Sequence, residues 1–138
     1  MPNFANNTEL AILLLVLWAM FLITSLASYR SYLNLFEGKP ANSFAPTGKD
    51  LRPFGLRLTR AHANAYEFLP FALAVLLYAL ITDQTGVTDG LAIWLVALRV
   101  AQSSVHLVST SVIAVLIRFI PLFIPQIAIV IWWAVQML

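Results

Sequence analysis

Long apolar runs with few interruptions dominate the pattern of residues along this chain. Twenty consecutive residues without charge lie between Glu9 and Arg30, and about 20 apolar residues suffice for a helix to cross the ~30 Å hydrocarbon layer of a bilayer. The segment 58–82 has the same character, although Arg60, Asn64 and Glu67 interrupt its first half. The pattern therefore predicts membrane-spanning helices at 10–34 and 58–82.

The segment 90–138 carries only two charged residues. As a single helix it would be roughly 70 Å long at ~1.5 Å per residue, more than twice the thickness of a bilayer, so it has to turn back. The cluster Ser109-Thr110-Ser111 is the preferred break, and a turn near Pro121 is the alternative. We therefore predict a third span at 90–109 and a fourth at 113–137, with prolines that kink the fourth or lie in its first turns.

The segment 35–57 is rich in Pro, Gly, Ser and Asn and is predicted to be the connecting loop between the first two spans. Basic residues gather on it and at its edges: Arg30, Lys39, Lys49, Arg52 and Arg57. The positive-inside rule places this loop in the cytoplasm and both termini on the other side. No basic segment precedes the first span, so we interpret it as mature structure rather than a signal peptide. Residues 1–138 are expected to form one transmembrane domain.

Composition agrees with a protein of the lipid bilayer. Of the 138 residues, 61% are hydrophobic and 10% are charged, against ~45–50% and ~25% in soluble domains. The formal net charge of +2 is too small and too scattered for a nucleic-acid-binding surface. The chain has no cysteine, which excludes disulfides, thiolate metal sites and a cysteine nucleophile. Any thiol chemistry must use a thiol from another molecule.

Glu67 and Arg99 are the two charged residues predicted to lie deep in the membrane. A charge at mid-bilayer costs roughly 2.5–3.5 kcal/mol on insertion scales, so such residues usually face inward and pair. Their predicted depths match, which favours an ion pair between the second and third spans, with Asn64 or Gln102 completing the hydrogen bonds. A purely structural pair that fixes helix neighbours remains an equal alternative.

The polar residues of these two spans recur at helical spacing. On the second span they follow i, i+4, i+7: Arg60, Asn64 and Glu67. On the third they follow i, i+3, i+7, i+10: Arg99, Gln102, His106 and Ser109. Two facing stripes would line a cleft suited to a small anionic or zwitterionic ligand. No metal is expected, since the two histidines lie on different spans with a single acid nearby.

Two motifs resemble a known family. The segment RLTRAHANAYEFLP at 57–70 closely resembles the second-helix signature of the MAPEG superfamily, the membrane-associated proteins in eicosanoid and glutathione metabolism. The segment RVAQSSVH at 99–106 is similar to its third-helix element. The resemblance extends over the four spans and the polar loop. It implies an all-α, four-helix-bundle membrane protein that forms a homotrimer with glutathione sites at subunit interfaces in the cytoplasmic leaflet.

The resemblance also implies roles for individual residues. The expected glutathione contacts are Arg60, Asn64, Glu67, Arg99 and Gln102, with Glu67 toward the amino end of the ligand and Arg60 toward a carboxylate. The expected catalytic residues are Arg118 and His106, which would stabilise the thiolate. The chain departs from the family pattern at 107–117, where LVSTSVIAVLI replaces a stretch rich in Arg and Tyr.

Two functions follow. One is a glutathione transferase or peroxidase, in a bacterial inner membrane, that acts on lipophilic electrophiles. The other is a non-catalytic membrane scaffold or accessory subunit in which the Glu67 and Arg99 pair is structural. A channel or transporter component is a weaker third hypothesis, because the sequence shows no inverted repeat and no helices broken at mid-membrane.

Overall fold

The computed structural model describes residues 6–138, and in that range the chain forms helices and loops without strands. Its helices long and apolar enough to cross a membrane are α1 (Asn7–Glu37), α2 (Pro53–Ile81), α3 (Thr85–Val108) and a fourth helix, Val112–Gln136. The prediction of an all-helical, four-span membrane bundle is confirmed. Each observed helix overlaps its predicted span.

Four helix ends lie three to five residues outside the predicted spans, namely both ends of α1 and the starts of α2 and α3. The side chain of Asn6 caps α1 by accepting a hydrogen bond from the amide of Glu9 at 2.9 Å. Gly38 ends the same helix in the left-handed conformation, with a φ of 69°. Pro53 begins α2, because the first turn of a helix needs no N–H donor there.

The predicted break at the serine cluster is correct. The third helix ends at Val108, and Ser111 caps the next helix by accepting from the amide of Ala114 at 3.2 Å. The fourth helix then has three parts: α4 (Val112–Ile117), a π-helical segment (Arg118–Phe123) and α5 (Ile124–Gln136).

Two prolines account for the irregular middle of the fourth helix. Pro121 lies inside the π-helical segment, and Pro125 lies in the first turn of α5. Because neither residue can donate a backbone hydrogen bond, a regular α-helix cannot continue through them unchanged. The π-helical segment lies at this interruption of the α-helical hydrogen-bond pattern.

The core lies between all four helices. Its central residues come from each of them: Ala11, Leu15, Ala72, Leu76, Leu95 and Trp133. A second cluster, nearer the loop, joins α1 and α2 through Leu22, Leu26, Leu58, Ala61 and Ala65. Alanines face the neighbouring helices along much of α2, which lets the backbones approach closely. The outward side chains are mostly apolar and exposed, as expected of a surface in contact with lipid.

The end of the bundle opposite the loop is fixed by a polar contact between α1 and α3. The amide of Thr8 donates to a carboxylate oxygen of Asp89 at 2.9 Å, and the Thr8 hydroxyl donates to the same oxygen at 2.6 Å. The Thr8 hydroxyl also lies 2.7 Å from that of Thr88. Asp89 thus satisfies one of the free amides at the start of α1 and aligns the two helices.

The loop between α1 and α2 is compact and packs against α2. Lys39 pairs with Asp50 at 3.1 Å, and Arg52 pairs with Glu37 at 3.0 Å. At Gly48, with a φ of 70°, an added Cβ would lie 2.6 Å from the hydroxyl of Thr59, so the loop backbone needs glycine there. The loop therefore holds a defined position above the helix ends.

The carboxyl group of Asp50 organises this loop. Desolvation tends to raise its pKa, but hydrogen bonds from the Lys39 ammonium, from its own amide and from the Ala45 amide outweigh that tendency and lower the pKa below the ordinary value of 3.8. The carboxylate is therefore the stable form over nearly all of the pH range in which proteins are handled.

Candidate functional site

Arg99 lies buried at the centre of the bundle, with 2% of its surface exposed. Its Nη1 donates to the side-chain oxygen of Asn64 at 2.9 Å and to the Asn64 carbonyl at 3.3 Å. The guanidinium carbon lies 4.2 Å from the centre of the Phe68 ring, in a cation–π contact. Arg99 therefore binds α3 to one face of α2 at membrane depth.

The predicted ion pair between Glu67 and Arg99 is not formed. The ion pairs within 4 Å across residues 6–138 both lie at the loop and involve neither residue. Asn64 and Phe68 are one helical turn apart and both face Arg99, whereas Glu67 lies ~60° from Asn64 and ~100° from Phe68 around the helix and is exposed on the outside of the bundle. An amide oxygen and an aromatic ring thus occupy the position expected for the carboxylate.

Glu67 instead lines a groove between α2 and the fourth helix, with a volume of about 310 Å³. Asn64 and Glu67 form its polar end, on the side nearer the loop. Its remaining walls are apolar: Phe68, Phe71, Phe123, Ile127, Val130 and Ile131. The Phe123 ring packs edge-on against Phe68 with 6.3 Å between ring centres. The groove thus joins one carboxylate and one amide to a long apolar surface that opens outward.

Arg118 and His106 are brought together nearer the loop. Nη1 of Arg118 lies 2.9 Å from Nδ1 of His106, and since arginine can only donate, that ring nitrogen is the acceptor. Arg60, exposed on α2, lies within electrostatic range of both side chains. Arg57 closes the same end by donating to the carbonyl of Leu107 at 2.7 Å. Two of the predicted site residues, Arg118 and His106, are therefore in direct contact.

Gln102 points into the bundle. It is 2% exposed, and its side-chain oxygen accepts a hydrogen bond from Nε2 of Gln126 at 3.0 Å. Gln126 was not among the predicted site residues, although an amide within a long apolar span is itself a signal for an inward-facing polar contact. Gln102 and Gln126 together join α3 to α5, and a ligand contact by Gln102 stays a prediction.

The two predicted polar stripes meet over a short length only. The third-helix stripe faces inward as expected, since Arg99, Gln102 and His106 are all buried. On α2, by contrast, Arg60 and Glu67 are exposed and Asn64 is half-buried, so that stripe lies along the edge of the bundle. Asn64 and Arg99 are the pair through which the two stripes touch.

Several buried polar atoms in this region have no hydrogen-bond partner within the described part of the chain. They include Nε and Nη2 of Arg99 and the side-chain oxygen of Gln126. Arg99 thus retains two donors beside its contact with Asn64. No group of three or more His, Asp or Glu side chains close enough to hold a metal ion occurs in residues 6–138.

A profile of the MAPEG family matches residues 8–138. The match includes all four membrane-spanning helices and every residue of the candidate site. No curated protein and no solved structure matches the chain significantly.

Proposed function

The chain belongs to the MAPEG family, a family of membrane proteins of glutathione and eicosanoid metabolism, and on that premise we propose that it binds glutathione beside α2 and acts as a glutathione transferase or peroxidase on lipophilic electrophiles. The ligand would lie in the leaflet nearer the loop. The acceptor would reach it from the surrounding lipid.

The observation that carries this proposal is the position of Glu67. It is a carboxylate within a membrane-spanning helix, exposed on the outside of the protomer, and it pairs with no cation in the described residues. A charge in that environment costs several kcal/mol unless something covers and neutralises it. A ligand amine within a subunit interface supplies both the cover and the counter-charge.

The residues around Glu67 suit a zwitterionic tripeptide. Arg60, seven residues earlier and also exposed, is a cation for a carboxylate of the ligand, and Glu67 accepts from its amino group. Arg99 holds the side-chain oxygen of Asn64, which leaves the two N–H donors of that amide available to the ligand. In this arrangement Arg99 is a positioning residue, whereas Arg60, Asn64 and Glu67 make the contacts.

Glutathione supplies the thiol that this cysteine-free chain lacks. Arg118 is the cation that favours loss of the thiol proton, because a positive charge beside sulfur stabilises its anionic form. His106 accepts a hydrogen bond from Arg118 through Nδ1, which holds the guanidinium against α3. The apolar walls formed by Phe71 and Ile131 receive the acceptor.

A homotrimer built on α2 completes the site. On the stripe of α2 that carries Arg60 and Glu67, the exposed residues Ala63, Pro70 and Ala74 are small or compact, with the larger exposed rings of Tyr66 and Phe71 on either side. Small residues let a second copy approach closely, and that copy would shield both charges from lipid. The basic loop is proposed to face the cytoplasm of a bacterial inner membrane, with both termini on the opposite side.

A non-catalytic scaffold or accessory subunit is the second candidate. It is favoured by the engagement of Arg99 and Gln102, two of the expected ligand contacts, in hydrogen bonds between helices. In that case the polar groups at membrane depth would serve assembly alone. The two functions differ in whether glutathione stabilises the protein.

The test compares the wild type with Glu67→Gln and with Glu37→Gln, a matched carboxylate-to-amide control at the loop. Glutathione at a hundredfold excess over Kd should stabilise the wild type and the control by about 2.7 kcal/mol and the Glu67 variant far less. Conjugation of a halonitrobenzene should follow the same order. Stabilisation without conjugation would leave a binding protein. If glutathione neither stabilises the wild type nor is conjugated by it, glutathione binding is excluded and the scaffold function is favoured.

A further inference from the structure

Arg30 marks the boundary of the hydrocarbon layer on the loop side of the bundle. It is the first charged residue after the twenty uncharged positions of α1, and the helix continues beyond it to Glu37. Seven further residues extend about 10 Å at ~1.5 Å per residue. The Arg30 side chain therefore lies at the height of the lipid head groups, below the top of the loop.

A cavity of about 480 Å³ lies at this height between α1 and the loop. Its walls combine a cation, a hydroxyl, an amide and apolar surface: Arg30, Ser31, Asn34, Leu35, Ala41 and Phe44. Asn34 donates to the carbonyl of Lys39 at 2.7 Å and so fixes the loop over the cavity. None of these residues lines the groove beside Glu67.

The charges around this cavity leave it electropositive. The nearby carboxylates are each paired with another cation, Asp50 with Lys39 and Glu37 with Arg52. Within residues 6–138 the guanidinium of Arg30 makes one hydrogen bond, a long one of 3.3 Å from Nη2 to the carbonyl of Ala45. Its Nε is buried without an acceptor. Arg30 thus keeps both its charge and most of its donors uncompensated.

Aromatic surface holds the guanidinium in place. The Arg30 guanidinium carbon lies 5.7 Å from the centre of the Phe44 ring, and the Lys39 ammonium lies 5.3 Å from the same ring. These contacts orient two cations about one ring; Asp50 neutralises Lys39, whereas Arg30 keeps its charge. A planar guanidinium held in this way is well suited to binding two oxygens of a phosphate.

We propose that this cavity binds the phosphate of an anionic phospholipid from the leaflet that the loop faces, with Arg30 as the principal cation. The depth of Arg30 favours a lipid over a dissolved anion. Tyr32, 52% exposed, and Leu35, 74% exposed, lie beyond Arg30 on the loop side of α1 and would flank the head group. The bound lipid joins the end of α1 to the loop and stabilises both.

The test uses purified protein in phosphatidylcholine nanodiscs with and without phosphatidylglycerol. Bound lipid is counted by native mass spectrometry, and melting is followed in parallel. Wild-type protein should retain phosphatidylglycerol selectively, and Arg30→Gln should reduce that retention about fivefold, the scale of one basic residue at an anionic membrane surface. Lys49→Gln, which removes an exposed cation of the same loop that does not line the cavity, should change it little.

A second variant distinguishes loss of the lipid site from loss of folded structure in Arg30→Gln. Ser31→Glu adds a carboxylate at an exposed position of the cavity wall and leaves Arg30 in place, so it should also reduce phosphatidylglycerol retention. Equal retention by all four proteins would overturn the proposal. So would stabilisation by inorganic phosphate equal to that by the lipid, or loss of glutathione binding in Arg30→Gln with lipid retention unchanged.

Discussion

Asn64 accepts two hydrogen bonds from Arg99, at 2.9 Å through its side-chain oxygen and at 3.3 Å through its carbonyl. This contact joins α2 to α3 at membrane depth and fixes which way the Asn64 amide points. One neutral residue thereby compensates a buried cation and presents donors to the groove. The assembly of the bundle and the shape of the candidate site depend on the same pair.

Asn64→Leu is expected to destabilise the protein by about 2 kcal/mol, because the buried Arg99 charge loses its side-chain acceptor and keeps only the longer bond to the backbone carbonyl. The double variant Asn64→Leu, Arg99→Met should recover part of that loss, since no buried charge then remains. Unfolding in mixed detergent micelles measures both. A double variant less stable than Asn64→Leu alone would show that Arg99 stabilises the bundle by other means.

The Arg118 and His106 pair is expected to control the pH dependence of conjugation. His106→Phe removes the acceptor that orients Arg118, so the pH at which the rate is half-maximal should rise by about one unit, and the rate at neutral pH should fall about tenfold. Arg118→Gln should have a larger effect. Stopped-flow spectra of the glutathione anion across pH provide the measurement, and an unchanged profile in both variants would remove the pair from the mechanism.

Asp89→Ala is expected to release the first turn of α1. The carboxylate accepts from both the amide and the hydroxyl of Thr8, so its loss should cost about 2 kcal/mol, at the upper end for a helix cap. Asp89→Asn retains a side-chain oxygen and should lose less. Hydrogen exchange at the amide of Thr8 and thermal unfolding would report the change, and equal losses in both variants would point to charge rather than hydrogen bonding.

The loop is expected to loosen in acid. The pKa of Asp50 is lower in the folded protein than its ordinary 3.8, so its contribution to stability is complete above pH 3.8 and is lost as the pH falls through the folded value. Pepsin cleavage within 38–52 should therefore increase below pH 3.8. Asp50→Asn should be cleaved readily at every pH tested, and cleavage of the wild type independent of pH would contradict the assignment.

The positions of the helices could be predicted because a membrane-spanning helix requires a long run of uncharged, mostly apolar residues. The run of uncharged residues predicted α1, and the serine cluster predicted the turn before the fourth helix. Both could be read locally, since helix capping and helix breaking depend on neighbouring residues of the chain. The inward face of α3 was also predictable, because Arg99, Gln102 and His106 share one face and a membrane helix turns its polar face inward.

Spacing alone could not decide the principal partner of Arg99: the hydrogen bond from Arg99 to Asn64 was expected, but only beside an ion pair with Glu67. Asn64 and Glu67 are three residues apart and differ by only ~60° around α2, so periodicity places them on one stripe. The choice between them depends on the rotation of α2 about its own axis, which tertiary packing, including that of Ala61 and Ala65 against α1, restricts. The cation–π contact between Arg99 and Phe68 was not predicted, because the search for a partner of the buried cation was made among carboxylates and not among aromatic rings.

The π-helical segment Arg118–Phe123 changes the direction in which all later side chains of the fourth helix point. A π turn holds about one residue more than an α turn, which rotates the rest of the helix by ~100° relative to a continuous one. With that offset Arg118 reaches His106 while Gln126 and Trp133 face the core. A deletion of one residue in this segment would turn the buried amide and indole toward lipid, so the fourth helix tolerates changes of side chain far better than changes of length.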